Sequence, residues 1–142
     1  MSDAMSNYLE DKIATHIFQD VSLSQPAAIY VALTKHVSND TMTGSTIDEV
    51  DGSGYARNLV CIPGTSCDAN FDDPAGSGNT ENTNAITFDT ATGDWGPVSG
   101  VAIIDASSAG NLLMYGNLTT PRNVLNGDIF QFNAGDLDIS IK

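Results

Sequence analysis

Basic residues are scarce: five Lys and Arg stand against 18 Asp and Glu in 142 residues, a net charge of −13. Nucleic acids and anionic leaflets need their phosphates neutralised, so neither a nucleic-acid nor a membrane partner is expected. Long apolar runs are missing too. The longest, Val101 to Ile104 and Leu112 to Tyr115, are strand-sized and far short of a membrane span. The first ten residues carry Asp3 and Glu10 where a secretory leader is basic, and no apolar segment follows, so synthesis in a cytoplasm is the expectation. With 41% hydrophobic residues the acidity belongs to a folded surface and not to a disordered tail.

The residues that carry most enzyme chemistry are thinly supplied. His16 and His36 are the two histidines, and neither has a neighbour at metal-ligand spacing. Gly52-Ser53-Gly54 and Gly76-Ser77-Gly78 sit in loops without the strand-turn-helix setting of a nucleophilic serine. No phosphate-binding glycine loop ending in lysine occurs. The acids pair as Asp48-Glu49, Asp72-Asp73 and Asp136/Asp138. Calcium suits them better than glycoside hydrolysis, but Asp48 to Gly52 lacks the spacing of a helix-loop-helix calcium site, and a solvated acidic surface is the favoured reading. Cys61 and Cys67 enclose a tight turn that brings them within reach of a small disulfide loop, although a reducing cytoplasm favours free thiols. Two cysteines alone make no zinc site. No catalytic, cofactor-binding or metal residue is assigned, no cofactor is expected, and neither chelator nor reductant is expected to shift stability.

One helix is expected, over residues 7–20. Asn7 caps it, Glu10 completes a capping box, and Leu9, Ile13 and Ile17 form one apolar stripe. So short a helix needs to dock, and docking on its own sheet is favoured over a free partner-binding face. From Pro26 onward the period becomes two. Ile29, Val31 and Leu33 alternate with Tyr30, Ala32 and Thr34 as a half-buried strand. Further strands are expected at Tyr55 to Cys61, Ala85 to Phe88, Val98 to Ile104, Leu112 to Asn117, Ile129 to Phe132 and Leu137 to Ile141. Glycine- and proline-rich turns separate them, and Asn126-Gly127-Asp128 reads as a hairpin joining Val124 to Ile129. Ser38 to Ser53 and Thr65 to Thr83 read as polar excursions from a single domain. Many strands without interleaved helices indicate an all-β antiparallel sandwich or barrel and exclude a nucleotide-binding βαβ fold.

Several stretches together resemble a family of small β-rich virion proteins of tailed bacteriophages, labelled either tail-fibre-like or capsid cement (decoration) proteins. They are Asn7-Tyr8-Leu9-Glu10, Tyr30-Val31-Ala32-Leu33, Gly54-Tyr55-Ala56-Arg57, Trp95-Gly96, Gly110-Asn111-Leu112-Leu113 with Tyr115-Gly116, and Gly127-Asp128 followed by Ala134-Gly135-Asp136-Leu137. The resemblance implies an antiparallel jelly-roll-like β-sandwich with one short N-terminal helix and no catalytic residues. It divides the chain 1–142 into an N-terminal arm (1–6), the helix (7–20) and the sandwich (27–142). The chain starts four residues before Met5-Ser6-Asn7, where such proteins often begin, and its excursion from Cys61 to Thr83 is longer and more polar than the family pattern. Trp95 is expected in the core, and Arg57, one of two arginines, on a carboxylate of its own chain.

The function this implies is structural and not enzymatic: a cement protein on the capsid exterior, partnered by the major capsid protein and by itself as a dimer or trimer, and acting by multivalent adhesion. The alternative is a tail-fibre or baseplate subunit engaged in host recognition. A carbohydrate-active enzyme with a carboxylate pair is the third reading.

Overall fold

A computed structural model describes residues 2–141. In chain order its elements are β1 (Ser2–Met5), α1 (Asn7–Phe18), β2 (Ile29–Thr34), β3 (Asn58–Cys61), α2 (Cys67–Asn70), β4 (Asn79–Glu81), β5 (Ile86–Thr87), β6 (Gly96–Ile104), β7 (Leu112–Val124), β8 (Gln131–Phe132) and β9 (Asp138–Ser140). Every ladder is antiparallel. Five strands form one sheet in the order β1-β7-β6-β2-β3, and β4 with β9 and β5 with β8 form two-stranded sheets. The class is therefore the all-β antiparallel one that the alternating sequence indicates.

The centre of the large sheet, β2, β6 and the start of β7, is buried on both faces. Val31, Leu33, Val101 and Ile103 point into the main core with Phe88, Trp95, Phe130 and Leu137. Ala32, Ala102, Ile104 and Leu112 lie on the other face and pack with Ile47 and Met42 from the segment after β2. The alternation along β2 thus sorts residues between two apolar environments, and the strand is not half-buried. The polar stretch Ser38 to Ser53 is what makes the difference. It folds back over the sheet, with Lys35 N–H donating to the Asp48 carbonyl at 2.8 Å and Val50 N–H to the Leu33 carbonyl at 3.0 Å.

Trp95 is 4% exposed. Its ring meets the Tyr55 ring edge-on at 5.4 Å, and its Nε1 donates to the Ser53 carbonyl at 2.9 Å. A Cβ on Gly52 would come within 2.3 Å of the indole, so the loop can pass the ring only as glycine.

Four other expectations change. Residues 2–5 are not an arm but strand β1, paired with β7 from Ser2↔Asn117 to Met5↔Met114. The Asn126-Gly127 turn exists, with Gly127 at φ +90°, yet it makes no hairpin with β7. Residues beyond it pair with β5 instead, Ile86↔Phe132 and Thr87↔Gln131, and the segment after β5 continues the pairing: Phe88 N–H donates to the Phe130 carbonyl at 2.9 Å, and Gly127 N–H in the turn donates to the Ala91 carbonyl at 2.8 Å. The excursion from 65 to 83 contains α2 and β4, and Thr80↔Ile139 ties it to β9. Finally, Cys61 and Cys67 are joined by a disulfide, not free. Thr65 and Ser66 both donate backbone N–H groups to the Ile62 carbonyl, and this turn sets the two Cα atoms 4.9 Å apart, inside the range a disulfide spans.

Candidate interaction surface

The N-terminal helix is fixed at one end. The N-cap is Ser6 and not Asn7, because β1 runs on into Ser6 with extended backbone (φ −79°, ψ 157°) before the chain turns helical. Ser6 is fully buried. Its hydroxyl accepts from the Leu9 N–H at 3.2 Å and donates to the Leu112 carbonyl, while its own N–H donates to the Leu113 carbonyl at 2.9 Å. Asn7 N–H reaches the Asp40 carbonyl at 2.8 Å. β7 bulges at Leu113, since Ile103 faces Met114 and Ile104 faces Leu112, which leaves Leu113 turned toward the helix side as part of a groove floor.

The other end is bare. Leu9 packs on the core and Ile13 is half-buried, but Ile17 is 62% and Phe18 83% exposed, and α1 buries no side chain completely. The expected docked stripe is therefore packed at Leu9, half covered at Ile13 and bare at Ile17. Past the C-cap the chain bends back, with Leu23 N–H donating to His16 Nδ1 at 3.2 Å, and leaves Val21 and Leu23 exposed as well. His16 is accordingly a local tie in the turn after the helix. Between α1 (Tyr8, Leu9, Lys12) and residues 22–27 runs a groove of about 460 Å³ whose other walls are Leu113 and Asp105. Of the bare apolar side chains, Leu23 also lines this groove.

The surroundings of this surface are acidic and stiff. Glu10 and Asp11 lie on α1 and Asp20 just past it, all exposed, while Asp105 lines the groove. Partial burial and the charges of Asp40 and Glu10 raise the Tyr115 hydroxyl above its ordinary pKa. Asp105 is held in place by the N–H and side-chain amide of Asn111, at 2.7 and 2.8 Å.

Beside it, the Arg57 side chain, 4% exposed, fastens three segments together. Its Nε and Nη2 each contact a Glu49 oxygen at 2.9 Å, and its remaining N–H groups reach the carbonyls of Ala106, Ala109 and Gly44. Tyr55 donates to the same Glu49 at 2.8 Å and accepts from the Leu33 N–H. Burial first, and then the Glu49 charge, push its phenol far up, so it stays protonated and donating. The intrachain pairing expected of Arg57 is what the fold contains.

The remaining candidate residues are spent on structure. His36 hydrogen-bonds Asp48, and Lys35 reaches Asp48 at 3.7 Å and Asp51 at 3.2 Å. The His36 bond above all holds the Asp48 carboxyl below its ordinary range; burial opposes it, and the charges of Lys35 and His36 add to the lowering. Asp72 accepts from the Glu81 N–H at 2.8 Å and Asp73 from the Ala75 N–H at 2.9 Å, both shaping turns. Asp136 accepts from the Asn133 N–H at 2.8 Å, and Asp138 pairs across the ladder from Glu81. Among the described residues no group of three or more His, Cys, Asp or Glu is placed to hold a metal. Ser53 bonds Thr92 at 2.8 Å and Ser77 donates to the Pro74 carbonyl at 2.7 Å, so neither glycine-flanked serine is paired with a base.

What sequence reasoning missed is Phe18. It stands beside the 9-13-17 stripe and not on it, followed by Val21 and Leu23, and that apolar surplus past the helix end was the available signal.

Residues 4–140 match the family described as podophage GP4 fiber I protein gp80. With nearly the whole chain matched, the protein belongs to that family, and it is a structural protein of a tailed-phage virion. No curated protein matches it.

Proposed function

We propose that the chain is a fibre subunit of a tailed phage, a binding protein without catalytic activity, held to the particle by the exposed end of α1. The observation that carries this reading is Phe18, 83% exposed beside Ile17, Val21 and Leu23. A free protein gains nothing by presenting a phenylalanine to water, whereas a subunit of an assembly buries it on docking. The family match, whose description is a fibre protein, supports the tail location over the capsid exterior. A β scaffold stiffened by the Arg57 clasp suits a part that transmits load without changing shape. The carboxylates of Asp48, Glu49, Asp72 and Asp136 are engaged by Lys35, His36, Arg57 and backbone N–H groups, which favours adhesion over hydrolysis.

The second reading, a capsid cement, rests on the sequence resemblance. Antibody labelling of intact particles separates the two. Label on the tail and its appendages is the expected result, and label spread over the head would replace the fibre reading with the cement one.

A further inference from the structure

We infer that the occupant of the exposed α1 end is a different virion protein, one that presents an apolar site rimmed by lysine or arginine, and not a second copy of this chain. The inference rests on the docking role proposed above. Its grounds are the charges carried by the same helix and by the adjoining groove. Glu10, Asp11 and Asp20 stand on or just past the helix, and Asp105 lines the adjoining groove. One cation, Lys12, lines the same groove as Asp105, and its Nζ lies 5.5 Å from the Tyr8 ring centroid.

A second copy has little to set against these carboxylates. In a two-fold contact the same patch meets itself, so four carboxylates and one lysine face the same set and acid is left against acid. In a head-to-tail contact the copy must supply cations from elsewhere, and they are committed. Lys35 sits on Asp48 and Asp51, and Arg57 is buried on Glu49. Arg122 lies over the Phe130 ring at 4.8 Å and is the one other cation among the described residues. Among the described residues that leaves Arg122 and the groove's own Lys12 against the four carboxylates of Glu10, Asp11, Asp20 and Asp105. The same carboxylates argue against a lipid surface, because anionic headgroups repel them and attract lysine-rich faces.

The direct test places a photoreactive p-benzoylphenylalanine at position 18 in particles assembled with the full chain, irradiates them, and identifies the joined peptide by mass spectrometry. Crosslinks to another structural protein, at an apolar site flanked by lysine or arginine, are expected. Crosslinks to a second copy of the chain overturn the inference and leave the docking role standing. Absence of any crosslink overturns the docking role and the inference with it. In parallel, the purified chain is floated with phosphatidylglycerol–phosphatidylcholine vesicles. It is expected to stay unbound, and co-flotation overturns the choice of a protein partner.

Discussion

The buried hydroxyl of Ser6 donates to the Leu112 carbonyl while accepting from the Leu9 N–H, so one side chain is both the cap of α1 and its tether to β7. Ser6→Ala removes the cap and strands the Leu112 carbonyl in the interior. Each loss costs about 1 kcal/mol or somewhat more, for roughly 2 kcal/mol together. Thermal unfolding is expected to fall by several degrees, and hydrogen exchange across residues 7–18 to quicken. Unchanged exchange would mean that the helix is held by something other than its first turn.

Arg57 is a larger commitment. Arg57→Ala leaves Glu49 charged and half-buried, with three backbone carbonyls unpaired, a loss of about 3 to 5 kcal/mol. Arg57→Lys is expected to recover little of it, because an ammonium cannot serve both Glu49 oxygens and three carbonyls at once. Urea denaturation of the two variants checks this. Near-complete rescue by lysine would show that charge alone, and not the fork, holds the loops.

Much of the sheet was legible in the sequence and much of its covering was not. The alternation of Ile29 to Thr34 and the apolar run Val98 to Ile104 gave β2 and β6, because strand burial writes itself in period two. The lid over the second face was hidden, since Met42 and Ile47 are two apolar residues in a polar stretch and only tertiary packing shows what they cover. β4 is Asn79-Thr80-Glu81, which carries no apolar signal and becomes a strand by pairing with residues 138–140. Asn126-Gly127 formed its turn, but a turn fixes direction and not partner, and Ile86 and Thr87 offered the partner strand. The helix was visible and its exposed end was not. A periodic stripe says which residues share a face, and it does not say where the sheet beneath them stops.

The disulfide reverses the expectation of redox indifference. A cytoplasmic site of synthesis constrains the nascent chain, whereas a virion protein works outside the cell, where disulfides persist. Breaking the Cys61–Cys67 link reopens a small loop and is expected to cost about 2 kcal/mol. Under reductant the melting temperature then falls by roughly 5 °C. The double variant Cys61→Ser, Cys67→Ser should melt at the reduced value and ignore reductant. Equal melting temperatures with and without reductant in the unaltered chain would contradict this.

Alkali should weaken the fold through Tyr55. Its phenol is raised in the folded protein, chiefly by burial and then by Glu49, so the unfolded chain alone ionises as pH passes the ordinary tyrosine value of about 10. The unfolded state then binds fewer protons than the folded one, and stability falls as pH rises beyond that point. Tyr115, raised in the same direction, adds to the slope. Tyr55→Phe is expected to start less stable at neutral pH and to flatten the alkaline limb of a pH–stability curve. A limb as steep as that of the unaltered chain would place the effect elsewhere.

The exposed helix end is the centre of the functional reading, and one comparison tests it most directly. Phe18→Ser is supplied to phage lacking the native gene, and the copies per purified particle are counted beside the melting temperature of the free variant. Phe18 is 83% exposed, so the free protein should melt within about a degree or two of the unaltered chain. Copies per particle should drop at least about tenfold, the effect of losing on the order of 1.4 kcal/mol or more from a central apolar contact. Full incorporation of a stable Phe18→Ser chain would contradict the role assigned to this surface.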